Sequence, residues 1–219
     1  MNVNFITNNC NIVNNGQYNM DFDEKTLNSA IGDNVDFALV RFYQWHPKCV
    51  SLGRNQDNNI NYKNIDIVNR KTGGRALLHD KELTYSVVCP IFDESIVRSY
   101  KKISNCLILG FKTLGIELNF GSFEHRNSTY CFNTTSRADI CYNNKKFIGS
   151  AQYRKKGYLL QHGSIPYSLD WSLIEEIFHE KIDREKIITL NEINDSFSTR
   201  QIIDALKQGF IEGFKDISQ

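Results

Sequence analysis

Cys131 and Lys146 are the residues of this chain whose types and setting suit covalent chemistry. A thiol is partly ionised near neutral pH and attacks thioesters readily, and a nearby ammonium favours the thiolate. Cys131 lies in an irregular stretch, Ser128-Thr129-Tyr130-Cys131-Phe132-Asn133-Thr134-Thr135-Ser136-Arg137, just ahead of the strand-like run that carries Lys146. Loops held by a rigid sheet are where catalytic groups concentrate. The other cysteines have plainer readings: Cys106 falls on the apolar stripe of a helix, Cys89 and Cys141 fall in strands, Cys49 starts an apolar run, and Cys10 sits in a polar stretch. Buried free cysteine behaves as a small hydrophobe. On the residues alone Cys131 is either a nucleophile or packing, and Lys146 is either its electrostatic partner or half of a solvated lysine pair at a hairpin.

Two glycine-containing blocks could frame a site around that pair. One runs from Arg70 through Lys71-Thr72-Gly73-Gly74-Arg75 to His79 and Ser86; the other joins Lys146-Phe147-Ile148-Gly149-Ser150-Ala151 to Gln161-His162-Gly163-Ser164. Glycines let a ligand approach the backbone closely. Arg70 and Arg75 flank the diglycine, either as surface charges or as guanidiniums for a phosphate or carboxylate. His79 and His162 border the turns and read as pocket-lining groups rather than bases. The diglycine fits neither the dinucleotide fingerprint nor the phosphate loop with its Gly-Lys-Ser/Thr ending.

The whole chain constrains what the site can be. With 219 residues and 41% hydrophobic content, one compact domain spanning 1–219 is expected. The 26 basic and 25 acidic residues nearly cancel, which argues against the counterion-release binding used on nucleic acids. The start of the chain lacks the basic and apolar regions of a signal peptide, and no apolar run is long enough to span a bilayer, so a cytoplasmic protein is expected. The six cysteines include no Cys-x-x-Cys pair, so they are read as free thiols, and no metal or cofactor is implied.

The elements that must position these residues follow from patterning. Asp36 to Tyr43, Cys49 to Gly53 and Leu83 to Cys89 have strand character. Ser95 to Leu114 carries apolar residues at helical spacing and stops at Gly115. Ala138 to Tyr142, Lys146 to Tyr153 and Gly157 to Ile165 read as a meander, with Asn143-Asn144 and Lys155-Lys156-Gly157 as its turns. Ser172-x-x-Glu175 and Ser198-x-x-Gln201 match the capping box at the start of helices in a tail from about 170 to 219, and Ile202, Leu206, Phe210 and Phe214 mark the last buried stripe. The expected class is α+β.

Taken together, Asn19-Met20-Asp21-Phe22-Asp23-Glu24, Ser51-Leu52-Gly53-Arg54-Asn55-Gln56, the Arg70 to Ser86 block, Lys146-x-x-Gly149-Ser150-Ala151 and Gln161-His162-Gly163-Ser164 resemble the family of lipoate-protein ligases, biotin-protein ligases and lipoyl-pathway octanoyltransferases. The resemblance runs from about Asn19 to about Ile165 and implies a catalytic domain with a central mixed sheet flanked by helices. Within the family, ATP-dependent ligases typically carry three glycines where this chain has Gly73-Gly74-Arg75-Ala76, a form that resembles the LipM-type octanoyltransferases. Cys131-Phe132 stands where those transferases place their acyl-accepting cysteine. Thr135 and Ala138 depart from the family pattern, which usually has a proline and a larger side chain there.

That likeness implies Cys131 as nucleophile and Lys146 as the lysine that favours its thiolate, with Arg70, Gly73, Gly74, Arg75, His79, Gly149, Ser150, Ala151, His162 and Gly163 around the substrate. The implied reaction moves an octanoyl group from octanoyl acyl carrier protein to a lysine of a lipoyl-carrier domain, such as a glycine-cleavage H protein or a 2-oxoacid dehydrogenase acyltransferase subunit. No ATP is required, because thioester exchange is near energy-neutral and amide formation runs downhill. Two alternatives stand beside it. An ATP-dependent lipoate-protein ligase, or the catalytic half of a ligase split over two chains, would use Lys146 on an acyl-adenylate with Cys131 incidental. A non-catalytic lipoyl- or acyl-binding module would bind carriers without turnover.

Overall fold

The computed structural model describes residues 1–6, 12–57, 60, 62–121, 130–133 and 139–215. Cys10, Thr135 and Ala138 lie outside them. In chain order the strands are β1 (Val3–Phe5), β2 (Val13–Asn14), β3 (Ala38–Trp45), β4 (Cys49–Leu52), β5 (Asp66–Asn69), β6 (Leu77–His79), β7 (Glu82–Pro90), β8 (Asn119–Phe120), β9 (Ile140–Tyr142), β10 (Lys145–Lys155) and β11 (Tyr158–Pro166). The helices are α1 (Gly16–Gly32), α2 (Ile96–Thr113), α3 (Trp171–Phe178), α4 (Leu190–Ile193) and α5 (Thr199–Lys215).

The larger sheet has the order β1-β3-β7-β11-β10-β9-β8, with β2 also pairing with β3; β5-β4-β6 form a second, smaller sheet. Strands β3, β7, β11 and β10 are antiparallel neighbours, whereas β1 and β2 run parallel to β3. The sheet is therefore mixed, and with helices against it the class is α+β. Asn143 and Asn144 both have positive φ, as do Lys156 and Gly157; paired residues on either side, Tyr142 with Lys145 and Lys155 with Tyr158, make both links two-residue type I′ hairpins.

Strand alternation gives the sheet two unlike faces. Val40, Phe42, Tyr85 and Val87 join Ile103, Leu107, Phe111, Phe210 and Phe214 in the main apolar core, which binds α2 and α5 to one face. Those two helices touch at glycines. A Cβ on Gly110 would lie 2.9 Å from the Ala205 carbonyl oxygen, and one on Gly213 would lie 2.6 Å from Cys106 Sγ. Only glycine permits that approach. The opposite face carries Arg41, Tyr43, Thr84, Ser86, His162 and Ser164, all buried beneath α1 and the small sheet. A buried polar face needs partners, and its partners build the site.

The caps explain the helix ends. Ser95 accepts from the Arg98 amide at the start of α2, and Gly115, at φ +76°, turns the chain away beyond its end. Ser198 and Gln201 form the expected capping box on α5. The expected box at Ser172 is corrected: α3 starts two residues earlier than that box would place it, and Asp170 caps it by accepting from the Leu173 amide. Thr189 and Glu192 supply a capping box on α4 instead.

Candidate active site

Helix α1 turns an unusual stripe inward, with Asn19 and Asp23 buried beside Met20 and Leu27. Asp23 is the hub. Its Oδ1 accepts from Arg41 Nη1 at 3.2 Å and Ser86 Oγ at 2.9 Å, and its Oδ2 accepts from Tyr43 Oη at 2.9 Å and meets His162 Nδ1 at 3.2 Å. Burial works against its charge, but the His162 hydrogen bond, the Arg41 cation and the Ser86 hydroxyl together hold the carboxyl below its usual range. Burial pulls His162 below the ordinary histidine value. A carboxylate only accepts, so Nδ1 carries the proton toward Asp23 and Nε2 accepts from the Thr72 hydroxyl at 2.7 Å. One relay thus ties α1 and β11 to the loop that precedes the diglycine.

A second relay ties down the diglycine itself. Arg70 Nη1 donates to Ser51 O and Oγ, both at 2.9 Å; Nη2 donates to Gly73 O at 3.0 Å and Arg75 O at 2.6 Å; Nε donates to Gly73 O at 3.3 Å. A guanidinium has five N–H donors in a fixed fork, and these contacts use them all. Arg70 is neither a surface charge nor a free anion receptor; it moulds the loop. Gly53 packs under the same loop, where a Cβ would strike the Gly74 carbonyl oxygen, and Gly74 takes φ +91°. With Arg70 donating to Ser51, the Ser51 hydroxyl proton turns to His79 Nε2 at 2.7 Å, and His79 Nδ1 donates to Glu82 at 2.8 Å. Glu82 also accepts from Thr84 and from Ser164, and its carboxyl sits below its usual range: burial opposes the charge, but His79 and the hydroxyls outweigh it. Trp45 stacks on His79 with 3.8 Å between ring centres and donates to Thr84 Oγ1 at 2.7 Å.

Cys131 opens a short 3-10 turn, Cys131–Asn133, and its amide is anchored on the Ala76 carbonyl at 2.9 Å. Lys146, on β10, reaches the same place. Its Nζ donates to the Cys131 carbonyl at 3.0 Å, pairs with Asp139 Oδ2 at 3.0 Å and lies 5.2 Å from the centre of the Phe132 ring. Its side chain is 2% exposed, so the solvated-pair reading of Lys146 is corrected. Burial pulls the ammonium down, but the Asp139 charge, the Cys131 thiol and the Asp139 hydrogen bond together hold it above the ordinary lysine value. Gly149 makes room for the group: a Cβ there would sit 3.3 Å from Lys146 Cε and 3.6 Å from both Lys146 Nζ and Cys131 Sγ. Sulfur and ammonium therefore crowd one point on the sheet.

These groups surround one cleft, lined by Met20, Tyr43, Trp45, Leu77, His79, Arg75, Cys131, Gly149, Ala151 and His162 among others. Gly74, Ser150 and Gly163 line it too, as does Arg70; Gly73 stays out of its wall and serves Arg70 through its carbonyl. Gly163 has no room for a side chain, since a Cβ would lie 2.7 Å from Gly149 O and from Tyr85 Cε1. The cleft therefore unites Cys131 with both glycine blocks. Among the described residues, no group of three or more His, Cys, Asp or Glu side chains could hold a metal ion, and no helix is long and apolar enough to cross a membrane.

Asp139 was not singled out in the sequence, and Asp23, Ser51 and Glu82 stood inside the quoted blocks without a role of their own. For Asp139 a signal existed. The Asn143-Asn144 hairpin pairs Cys141 with Lys146, and a residue two positions from Cys141 points to the same face as Lys146.

Residues 15–211 match the family model of the lipoyl protein ligase A/B catalytic domain. The octanoyltransferase LipM of Staphylococcus aureus is 34% identical to this chain, over 94% of this chain and 85% of its own. The octanoyltransferase LipM of Clostridioides difficile is 37% identical over 92% and 82%. A crystal structure of lipoate-protein ligase A bound with ATP superposes with a TM-score of 0.77, covering 98% of this chain and 86% of that one at 21% identity; this likeness is one of fold.

Proposed function

Because this chain belongs to the lipoyl protein ligase A/B catalytic-domain family, we propose that it works in the cytoplasm as an octanoyltransferase of lipoate biosynthesis, taking octanoyl from octanoyl acyl carrier protein and placing it on a lysine of a lipoyl-carrier domain. Curated relatives of that name at 34% and 37% identity support the reaction class. The observation that carries the mechanism is the approach of Cys131 Sγ and Lys146 Nζ to one point beside Gly149. Residues 1–219 act as one catalytic unit, a reading supported by a family match that reaches into α5.

The Cys131 thiolate attacks the thioester carbonyl; the carrier thiolate leaves and takes up a proton. This yields an octanoyl thioester on Cys131. A neutral amine of the acceptor lysine then attacks that carbonyl, the amide forms, and the Cys131 thiolate departs while the amine sheds its proton to water. Lys146, held charged by Asp139, stabilises the thiolate in both steps, as attacking and as leaving group. Gly74 and Gly149, both on the cleft wall, supply backbone donors for the developing oxyanion, a contribution of about 3 kcal/mol per donor. The buried walls of the cleft take the acyl chain, at roughly 0.8 kcal/mol per methylene.

The test is transfer from octanoyl carrier protein to a lipoyl-carrier domain with and without ATP. Equal transfer in both supports the proposal. Modification that appears only with ATP and a free acid would show a ligase, and carrier binding without transfer would show a binding module.

A further inference from the structure

The cleft has a direction. At one end Gly74 is exposed and Arg75, Cys131 and Ala151 are partly so; at the other, Met20, Tyr43 and Trp45 are at most 7% exposed. The strand register sets Gly149, Ser164, Thr84 and Tyr43 side by side across β10, β11, β7 and β3. Three inter-strand steps separate the sulfur end from Tyr43, about 14 Å. That is a length a medium acyl chain spans and a long one overruns.

The closed end is not uniform. Tyr43 is fixed by its bond to Asp23 and Trp45 by its stack on His79 and its bond to Thr84; both belong to the relays that hold the loop. Met20 packs in the same apolar cluster as Tyr43 and Trp45, and its unbranched thioether has no hydrogen bond to lose, so it is the part of the wall whose size can change while the relays stay.

Resting on the transferase reading, we propose that Met20, backed by Tyr43 and Trp45, is the ruler that stops the acyl chain and restricts this site to medium-length acyl groups.

The test follows the rate of acyl-adduct formation on Cys131, by intact mass, with hexanoyl, octanoyl, decanoyl and dodecanoyl pantetheine thioesters, for the natural chain, Met20→Ala and Met20→Phe. Iodoacetamide labelling of Cys131, which needs no acyl pocket, with the buried Cys49, Cys89, Cys106 and Cys141 left unlabelled, reports that each variant keeps a folded site. In the natural chain the rate should rise by about fourfold per added methylene up to octanoyl and fall at least tenfold by dodecanoyl. Met20→Ala should move the break to decanoyl or beyond, and Met20→Phe should move it back to hexanoyl. The same break in all three proteins would overturn the ruler while leaving the acyl-enzyme intact. No adduct at any length in the natural chain would instead overturn the transferase reading, and the ruler with it.

Discussion

The Lys146 ammonium and the Asp139 carboxylate form an ion pair at 3.0 Å with only 2% and 6% of their side chains exposed. Removing one partner of such a pair strands the other charge, at about 3–5 kcal/mol, whereas replacing both with apolar groups of similar volume is often near neutral. Lys146→Met and Asp139→Ala are each expected to lose about 3–5 kcal/mol in urea denaturation. The double variant Lys146→Met with Asp139→Leu should recover most of that stability and still transfer no octanoyl. Recovery of both would mean that Lys146 is structural only.

Arg70 is expected to be irreplaceable by lysine. Its fork serves Ser51, Gly73 and Arg75 together, and an ammonium reproduces neither the number nor the plane of those bonds. Arg70→Lys keeps the charge and should still cost about 2–3 kcal/mol in urea denaturation, as the buried Ser51 carbonyl and the half-buried Gly73 and Arg75 carbonyls lose donors. If charge alone mattered, the variant would match the natural chain.

Gly149→Ala probes the crowding of sulfur and ammonium without removing either. The new Cβ would lie 3.3 Å from Lys146 Cε, closer than ordinary packing, so the lysine must shift. A fall of about tenfold in acyl-adduct formation is expected, equivalent to ~1.4 kcal/mol, with the thermal midpoint little changed. An unaltered rate would show that the lysine position does not matter to the thiol.

Much of this architecture was readable from the chain because it follows simple periodicities. The meander with its Asn143-Asn144 turn, and α2 with its stop at Gly115, lie within a few residues of expectation. Helix α1 was not read from periodicity, because its inward stripe alternates Met20 and Leu27 with Asn19 and Asp23, which erases the apolar signal. The short strands β1, β2, β5 and β8 carry too few residues for a pattern. Arg70 and Lys146 were visible as charges, but whether a charge is solvated or buried depends on partners distant in sequence. Arg70 finds Ser51 and Lys146 finds Asp139 only once the chain is folded.

Stability should fall on the acid side in two stages. Burial holds His162 below its ordinary value, so near pH 6.5 the unfolded chain binds a proton that the folded chain refuses. Stability therefore drops as the pH is lowered through about 6.5, by at most ~1.4 kcal/mol per pH unit from this group. Asp23 and Glu82 have folded values below the ordinary carboxylate range. Their contribution is full above the unfolded values of about 4 and is lost as the pH falls through the lower folded values. In urea denaturation across the acid range, His162→Gln should flatten the first stage and keep the Glu82 part of the second, which rests on His79, Ser164 and Thr84. Persistence of the first stage in that variant would assign it to another group.

The central claim is that Cys131 carries the acyl group. Intact-mass measurement of the protein after incubation with octanoyl acyl carrier protein, without ATP or acceptor, tests it most directly. One octanoyl adduct is expected on the natural chain, discharged by adding a lipoyl-carrier domain and absent in Cys131→Ala. An adduct that persists in Cys131→Ala, or transfer to the carrier domain by that variant at the natural rate, would contradict it.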